Sequence, residues 1–261
     1  MAGSRGNDWI LPKSSNPGSA DPARPDSSSD TGRRRTIYGR RLGRPLKQGR
    51  EKALAEWLPR LGVTVPAQGG LDPIRLFENA RPVEDVWLEV GFGSGEHLLA
   101  QATANPHVGI IGCEPFINGM AALLADIARE PARAANIRVL MDDARPLIAA
   151  LPDASLGRVF VLFPDPWPKA RHHKRRFIAP ANLDALARVM KPGAELRVAS
   201  DDEGYIAWTL EHVPGHPAFQ PLRTETEWRQ RPADWPVTRY EAKARAQGRE
   251  PAFFAFRRRE S

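Results

Sequence analysis

The segment Glu89-Val90-Gly91-Phe92-Gly93-Ser94-Gly95-Glu96 joins two carboxylates to a loop of three glycines at the end of an apolar run. Glycines between a strand and a helix let a ligand lie directly against the backbone. A nicotinamide-type loop spaces them G-x-G-x-x-G; here the third glycine falls one place early and Glu96 stands in its slot. Glu89 and Glu96 would also repel a pyrophosphate, the anion that a helix N-terminus otherwise attracts, so the loop suits a cationic or uncharged ligand. Glu114 closes the next apolar run about twenty residues on, where an acid can accept hydrogen bonds from both hydroxyls of a ribose. Asp143, in Met141-Asp142-Asp143-Ala144, stands where it can meet the exocyclic amine of an adenine. A ribose, an adenine and carboxylates near a positive centre describe S-adenosylmethionine, whose sulfonium and ammonium both attract acids. Taken singly, Glu89 or Asp142 reads as the cap of a following helix. Glu89, the three glycines and Glu114 as a set read as a ligand site.

A second constellation, Phe163-Pro164-Asp165-Pro166-Trp167-Pro168-Lys169, holds one carboxylate and one indole among three prolines. Proline presets its own φ and restricts the residue before it, so this loop is stiff, and stiffness at a ligand edge means preorganisation. Neither proline beside Asp165 offers an N–H for it to cap. Trp167 suits stacking on a purine and covering the core equally well. The run Lys169-Ala170-Arg171-His172-His173-Lys174-Arg175-Arg176 follows directly and brings phosphate-binding charge beside the loop. His172 and His173 have no His or Cys partner at ligand spacing, so no metal site is expected.

Such loops need a scaffold, and the apolar periodicities supply one. Residues 86–90, 107–113, 137–140, 158–163 and 195–199 read as buried strands. Leu54, Trp57, Leu58 and Leu61 form a helical stripe with Gly62 as its stop. Met120, Leu123, Leu124 and Ile127 form another, and Leu183, Leu186, Ala187 and Met190 a third, entered at Pro180 and stopped by Lys191-Pro192-Gly193. Strands alternating with helices give a parallel sheet covered on both faces. Residues 218–222 and 251–256 have no long helix after them and suit an antiparallel hairpin at the edge. No repeat at solenoid periods is present.

The chain has 261 residues and a formal net charge of +7, with 41% hydrophobic and 26% charged residues, which fits a globular domain with an extension. Residues 1–35, rich in Ser, Pro, Gly, Asp and Arg, are expected to be a disordered tail. Residues 36–261 are expected to form the domain, with 36–62 as a basic arm and first helix. Positive charge clusters at Arg33 to Lys52, at Lys169 to Arg176 and at Arg257 to Arg259, and such clusters capture nucleic acid by releasing counterions. The lone Cys113 makes no intrachain disulfide. With no apolar run long enough to span a membrane and no apolar leader, a cytoplasmic location is expected.

The glycine segment, Gly112-Cys113-Glu114-Pro115, the Phe163 to Arg176 run and Thr238-Arg239-Tyr240-Glu241 together resemble the bacterial tRNA (guanine-N7)-methyltransferases, from roughly Arg40 to Arg258. The Pro-Asp-Pro-Trp segment with its basic run is the specific part, and the glycine loop marks methyltransferases in general. The resemblance implies the class I methyltransferase fold: Rossmann-like α/β, seven strands mostly parallel with the last antiparallel, helices on both faces. It implies that Glu89, Gly91, Gly93, Gly95, Glu114, Asp143 and Asp165 contact S-adenosylmethionine. By the same likeness Lys169, Asp201, Thr238, Arg239, Tyr240 and Glu241 hold the guanosine. Arg171, Lys174, Arg175 and Arg176 are expected on RNA phosphates. Asp201 stands independently at the end of the fifth strand. The family commonly carries Thr-Lys-Phe-Glu in its last motif; here Arg239 and Tyr240 keep charge and ring.

The implied reaction is methyl transfer to N7 of a guanine in the variable loop of tRNA, position 46 in tRNA numbering, giving 7-methylguanosine. N7 carries an in-plane lone pair and no proton near neutral pH, so positioning and electrostatics carry the catalysis. Asp165 is expected to orient the guanine or the methionine end of the cofactor and to offset the charge developing on the base. A monomer, or alternatively a homodimer, acting on tRNA is expected. An RNA-capture protein on the same scaffold is the competing reading, and a nicotinamide dehydrogenase the third.

Overall fold

Five apolar runs become strands: β1 Asp85–Val90, β2 Val108–Cys113, β3 Ile137–Leu140, β4 Leu156–Leu162 and β5 Met190–Ser200. They pair in parallel, and β6 Phe219–Pro221 and β7 Ala252–Arg258 complete the sheet in the order β3-β2-β1-β4-β5-β7-β6, with β7 antiparallel to both its neighbours. The computed structural model describes residue 39 and residues 41–260. The chain divides into residues 1–36 and 37–261, and every described residue belongs to the second unit. The expected tail at 1–35, with Arg33 to Arg35 and Arg40, lies outside the described residues.

The strands alternate side chains between two cores. Val86, Leu88, Val159, Val161 and Phe254 face one side, with Leu147, Leu183 and Tyr205 packed on them from α4 Ala144–Ala150, α5 Pro180–Val189 and α6 Glu203–His212. Trp87, Ile110, Phe160 and Phe253 face the other side, covered by α1 Gln48–Leu61, α2 Glu96–Ala104 and α3 Ile117–Arg129. This period-two split is what a sheet covered on both faces requires. A seventh helix, α7 Arg239–Ala246, precedes β7. Among the described residues no helix is long and apolar enough to cross a membrane.

Gly62 stops α1 as expected, in an extended conformation with φ −67° and ψ 132°, and the chain runs on to pair beside β3, where Val63 N–H donates to Val139 O at 2.8 Å. Two local expectations differ from the structure. Met190 is the first residue of β5, opposite Leu156, and not the last of α5; it is buried in either role, so apolar spacing does not distinguish them. Phe163 falls outside β4 with φ 49°, which turns the chain away from the sheet.

Candidate active site

The loop after β1 is set by its glycines and by the acid that closes β2. Gly91, Gly93 and Gly95 all have positive φ, at 71°, 61° and 83°, a region that side chains with a Cβ rarely adopt. Gly93 N–H donates to Glu114 Oε2 at 2.7 Å, and Phe116 N–H donates to Glu114 Oε1 at 2.9 Å. One carboxylate thus ties the glycine loop to the start of α3. Burial pushes the Glu114 carboxyl above the ordinary carboxylate range; the two N–H donors oppose that, and the neighbouring Asp165 and Glu89 add to it. Gly95 caps α2 without a side chain of its own; a Cβ there would lie 2.6 Å from Leu123, so this glycine serves packing against α3.

Beyond the loop, at the carboxyl edge of the sheet, opens a cavity of about 420 Å³, a size normal for small-molecule sites. Of the expected residues, Gly91, Gly93, Glu114, Asp143 and Asp165 line it, joined on its rim by Arg175, Arg239 and Tyr240. Among the described residues, the exposed Asp165 carboxylate has no hydrogen-bond or ion-pair partner. Asp143 is already engaged: it caps α4 by accepting from Arg145 N–H at 2.9 Å and pairs with the Arg145 guanidinium at 2.8 Å. Phe163 and Trp167, at φ 49° and 45°, flank Asp165 in backbone strained for bulky residues. The prolines hold that strain and aim both rings at the cavity edge. Trp167 is half-buried there, with the Arg175 guanidinium 4.9 Å from its ring, and belongs to neither apolar core. Tyr240 stacks near Phe163, centroids 6.4 Å apart, and lies where a Cβ on Gly93 would fall 2.8 Å from its ring.

Other expected residues stand off the cavity. Glu89 is buried and bonds His97 Nδ1 at 2.8 Å, facing a narrow recess that Thr238 also lines. Thr238 caps α7 by accepting from Glu241 N–H at 3.2 Å. Asp201, at the end of β5 as expected, pairs with Arg249 at 2.5 Å. Lys169, Arg171 and Lys174 are exposed on and beside a short 3-10 helix, Ala170–Arg175. Two expectations are corrected. Arg176 is 3% exposed and donates to Pro166 O at 2.8 Å and to Gly204 O at 3.3 Å, so it locks the Pro-Asp-Pro-Trp loop from inside and offers nothing to a phosphate. Glu241 is equally buried between Arg231 at 3.4 Å and Arg245 at 3.0 Å, so it steadies α7 and does not reach a ligand.

His97, Phe116 and Arg145 belong to this neighbourhood without having been expected. Only His97 had a signal, a polar ring near the start of the helix that follows an acid-tipped strand.

No cluster of three or more His, Cys, Asp or Glu side chains is disposed to hold a metal ion among the described residues. The donor set instead fits a ligand with positive charge and hydroxyl groups: a buried carboxylate at Glu114, one at Asp165 without a partner among the described residues, and bare backbone at Gly91 and Gly93.

The strand order with its reversed β7, the glycine loop after β1 and the acids closing β2 and following β4 define a class I methyltransferase. The family model Methyltransf_4, described as "Putative methyltransferase", matches residues 83–253. The chain is 53% identical over 227 residues to a tRNA (guanine-N(7)-)-methyltransferase of Rhodospirillum rubrum, covering 85% of this chain and 88% of that one. It is 52% identical over 225 residues to the protein of the same name from Paramagnetospirillum magneticum, covering 85% and 92%. Among solved structures, the 16S rRNA methyltransferase KamB overlays with a TM-score of 0.47 at 20% identity, covering 73% of this chain and 96% of that one. The chain belongs to the tRNA (guanine-N7)-methyltransferase family.

Proposed function

We propose that this protein transfers the methyl group of S-adenosylmethionine to N7 of a guanine in the variable loop of tRNA, position 46 in tRNA numbering, forming 7-methylguanosine. The observation that carries the reading is the cavity at the sheet edge, where the Glu114-braced glycine loop faces Asp165, unpartnered among the described residues, across a space of about 420 Å³. The identity to tRNA (guanine-N(7)-)-methyltransferases along most of the chain supports the choice of base.

The cofactor supplies an activated methyl group on a positively charged sulfur. The chain's own residues then position it. Glu114 accepts from ribose hydroxyls with the lone pairs its two backbone bonds leave free, and Gly91 and Gly93 let the ligand lie on the backbone. Asp143, fixed by Arg145, borders the adenine end, and Glu89 serves the methionine end. Asp165 orients the reacting groups and offsets charge developing on the guanine, an electrostatic role that requires no proton transfer. Trp167 offers a face for the base. Lys169, Asp201, Thr238, Arg239 and Tyr240 hold the guanosine, and Arg171, Lys174 and Arg175 meet the flanking phosphates, so RNA shape dominates selection.

Incubation with methyl-labelled S-adenosylmethionine and bulk tRNA tests this directly. Label is expected in the RNA. Binding of tRNA without label would favour the RNA-capture reading.

A further inference from the structure

His97 lies in the first turns of α2 with 3% exposure, its Nδ1 2.8 Å from the Oε2 of Glu89, which is 2% exposed. Two polar groups at this depth cost free energy unless both are paired. A carboxylate accepts, so Nδ1–H donates, and in that tautomer of the uncharged ring Nε2 carries a lone pair. That atom is buried without a partner among the described residues. So is Nε1 of Trp235, which can only donate. The two rings are neighbours, with centroids 6.4 Å apart, and Phe160 packs edge-on against the imidazole at 4.6 Å. An acceptor and a donor left over on adjacent rings are a pair that one bridging water or a small ring rotation would join.

Trp235 roots the segment that carries Thr238, Arg239 and Tyr240, and α2 grips this segment on either side of His97. Glu96 pairs with Arg239 at 3.7 Å, and the Gln101 amide donates to Asp234 O at 2.8 Å. The helix that begins at the glycine loop therefore also seats the segment assigned to the guanosine.

We propose that His97 is a positioning residue linking the two halves of the site: its Nδ1–H aims the Glu89 carboxylate, and its ring seats Trp235. This rests on the reading that Glu89 contacts the cofactor. Mutation of the partner that orients a metal-holding side chain commonly costs 10- to 100-fold, and an effect of about that order is expected for the partner of a ligand-holding carboxylate here.

The test measures S-adenosylhomocysteine binding by calorimetry without RNA, and KM for tRNA, on the full chain carrying Glu89→Gln, His97→Leu, His97→Asn or Trp235→Phe. Glu89→Gln and His97→Leu are each expected to weaken S-adenosylhomocysteine at least about tenfold. His97→Asn, whose amide N–H replaces Nδ1–H, restores that affinity to within about threefold of wild type but raises KM for tRNA, because the ring is lost. Trp235→Phe raises KM for tRNA and leaves S-adenosylhomocysteine binding unchanged. Wild-type binding by Glu89→Gln would overturn the cofactor role of Glu89 and the inference with it. Weak binding by Glu89→Gln beside wild-type binding by His97→Leu, or a folded His97→Asn that binds no better than His97→Leu, would overturn the inference alone. Should His97→Leu not fold, His97→Asn and Trp235→Phe decide: each is expected to raise KM for tRNA while S-adenosylhomocysteine binding stays within about threefold of wild type, and equal losses of both ligands would overturn the inference.

Discussion

Gly119 lies so close to Gly93 that a Cβ on Gly119 would sit 2.3 Å from the Gly93 carbonyl oxygen and 3.2 Å from Cγ of Glu114. The first turn of α3, the glycine loop and the acid of β2 therefore meet with no room for a methyl group. The neighbour that would have to give is backbone, which cannot swing aside as a long side chain would.

Gly119→Ala is accordingly expected to push α3 off the loop. Overpacking of this kind costs about 1–3 kcal/mol of stability, read as a lower melting temperature. The displaced Glu114 should also weaken S-adenosylhomocysteine at least about tenfold, since a small misplacement of an orienting group is costly. Wild-type affinity in this variant would show that the contact has no part in the site.

Glu114 gives a pH dependence with a defined sign. Its carboxyl is held above the ordinary value, chiefly by burial, so the native state keeps a proton that the unfolded chain has lost. Stability from this group is present below the ordinary value and is lost as pH rises through the raised one. Hydroxyl donors at Glu114 favour the ionised form, so cofactor binding must expel that proton. Affinity for S-adenosylhomocysteine should rise with pH across this window, by at most about tenfold per unit for one proton. Calorimetry in buffers of different ionisation enthalpy reads the released proton. In Glu114→Gln both the release and the pH slope should vanish; their persistence would assign them to another group.

Arg171 and Lys174 are exposed and Arg176 is not, which separates two kinds of arginine effect. Each phosphate contact removed should lower the slope of log affinity against log salt by about 0.7–0.9. Arg171→Ala with Lys174→Ala should flatten tRNA binding in this way without lowering the melting temperature. Arg176→Ala should lower the melting temperature, through loss of its bonds to Pro166 and Gly204, and leave the slope unchanged. A change of slope in Arg176→Ala would restore it to the RNA surface.

The same pair explains what was legible in the sequence. Strands β1 to β5 and the stripes of α1, α3 and α5 follow from apolar period alone, because each face has one core to meet. The glycine loop, Glu114 and Asp165 are local motifs whose place at the sheet edge follows once the strands are known. A run of like charges carries no such period, so it does not say that Arg171 and Lys174 stay exposed on the 3-10 turn Ala170–Arg175 while Arg176 just after it is buried. Glu241 is held by Arg231 and Arg245, and Glu89 by His97. Pairings of this kind are set by tertiary approach, which spacing does not reveal. The sequence offers Asp142 as a helix cap, whereas it is Asp143 that caps α4 while also lining the cavity.

The central claim is the atom that receives the methyl group. tRNA treated with the protein and S-adenosylmethionine should be reduced with borohydride and cleaved with aniline, chemistry that breaks the chain at 7-methylguanosine. Cleavage at the variable-loop guanine, lost in Asp165→Ala while tRNA binding persists, is the predicted result. Methyl label stably incorporated into tRNA with no cleavage at that position would contradict it.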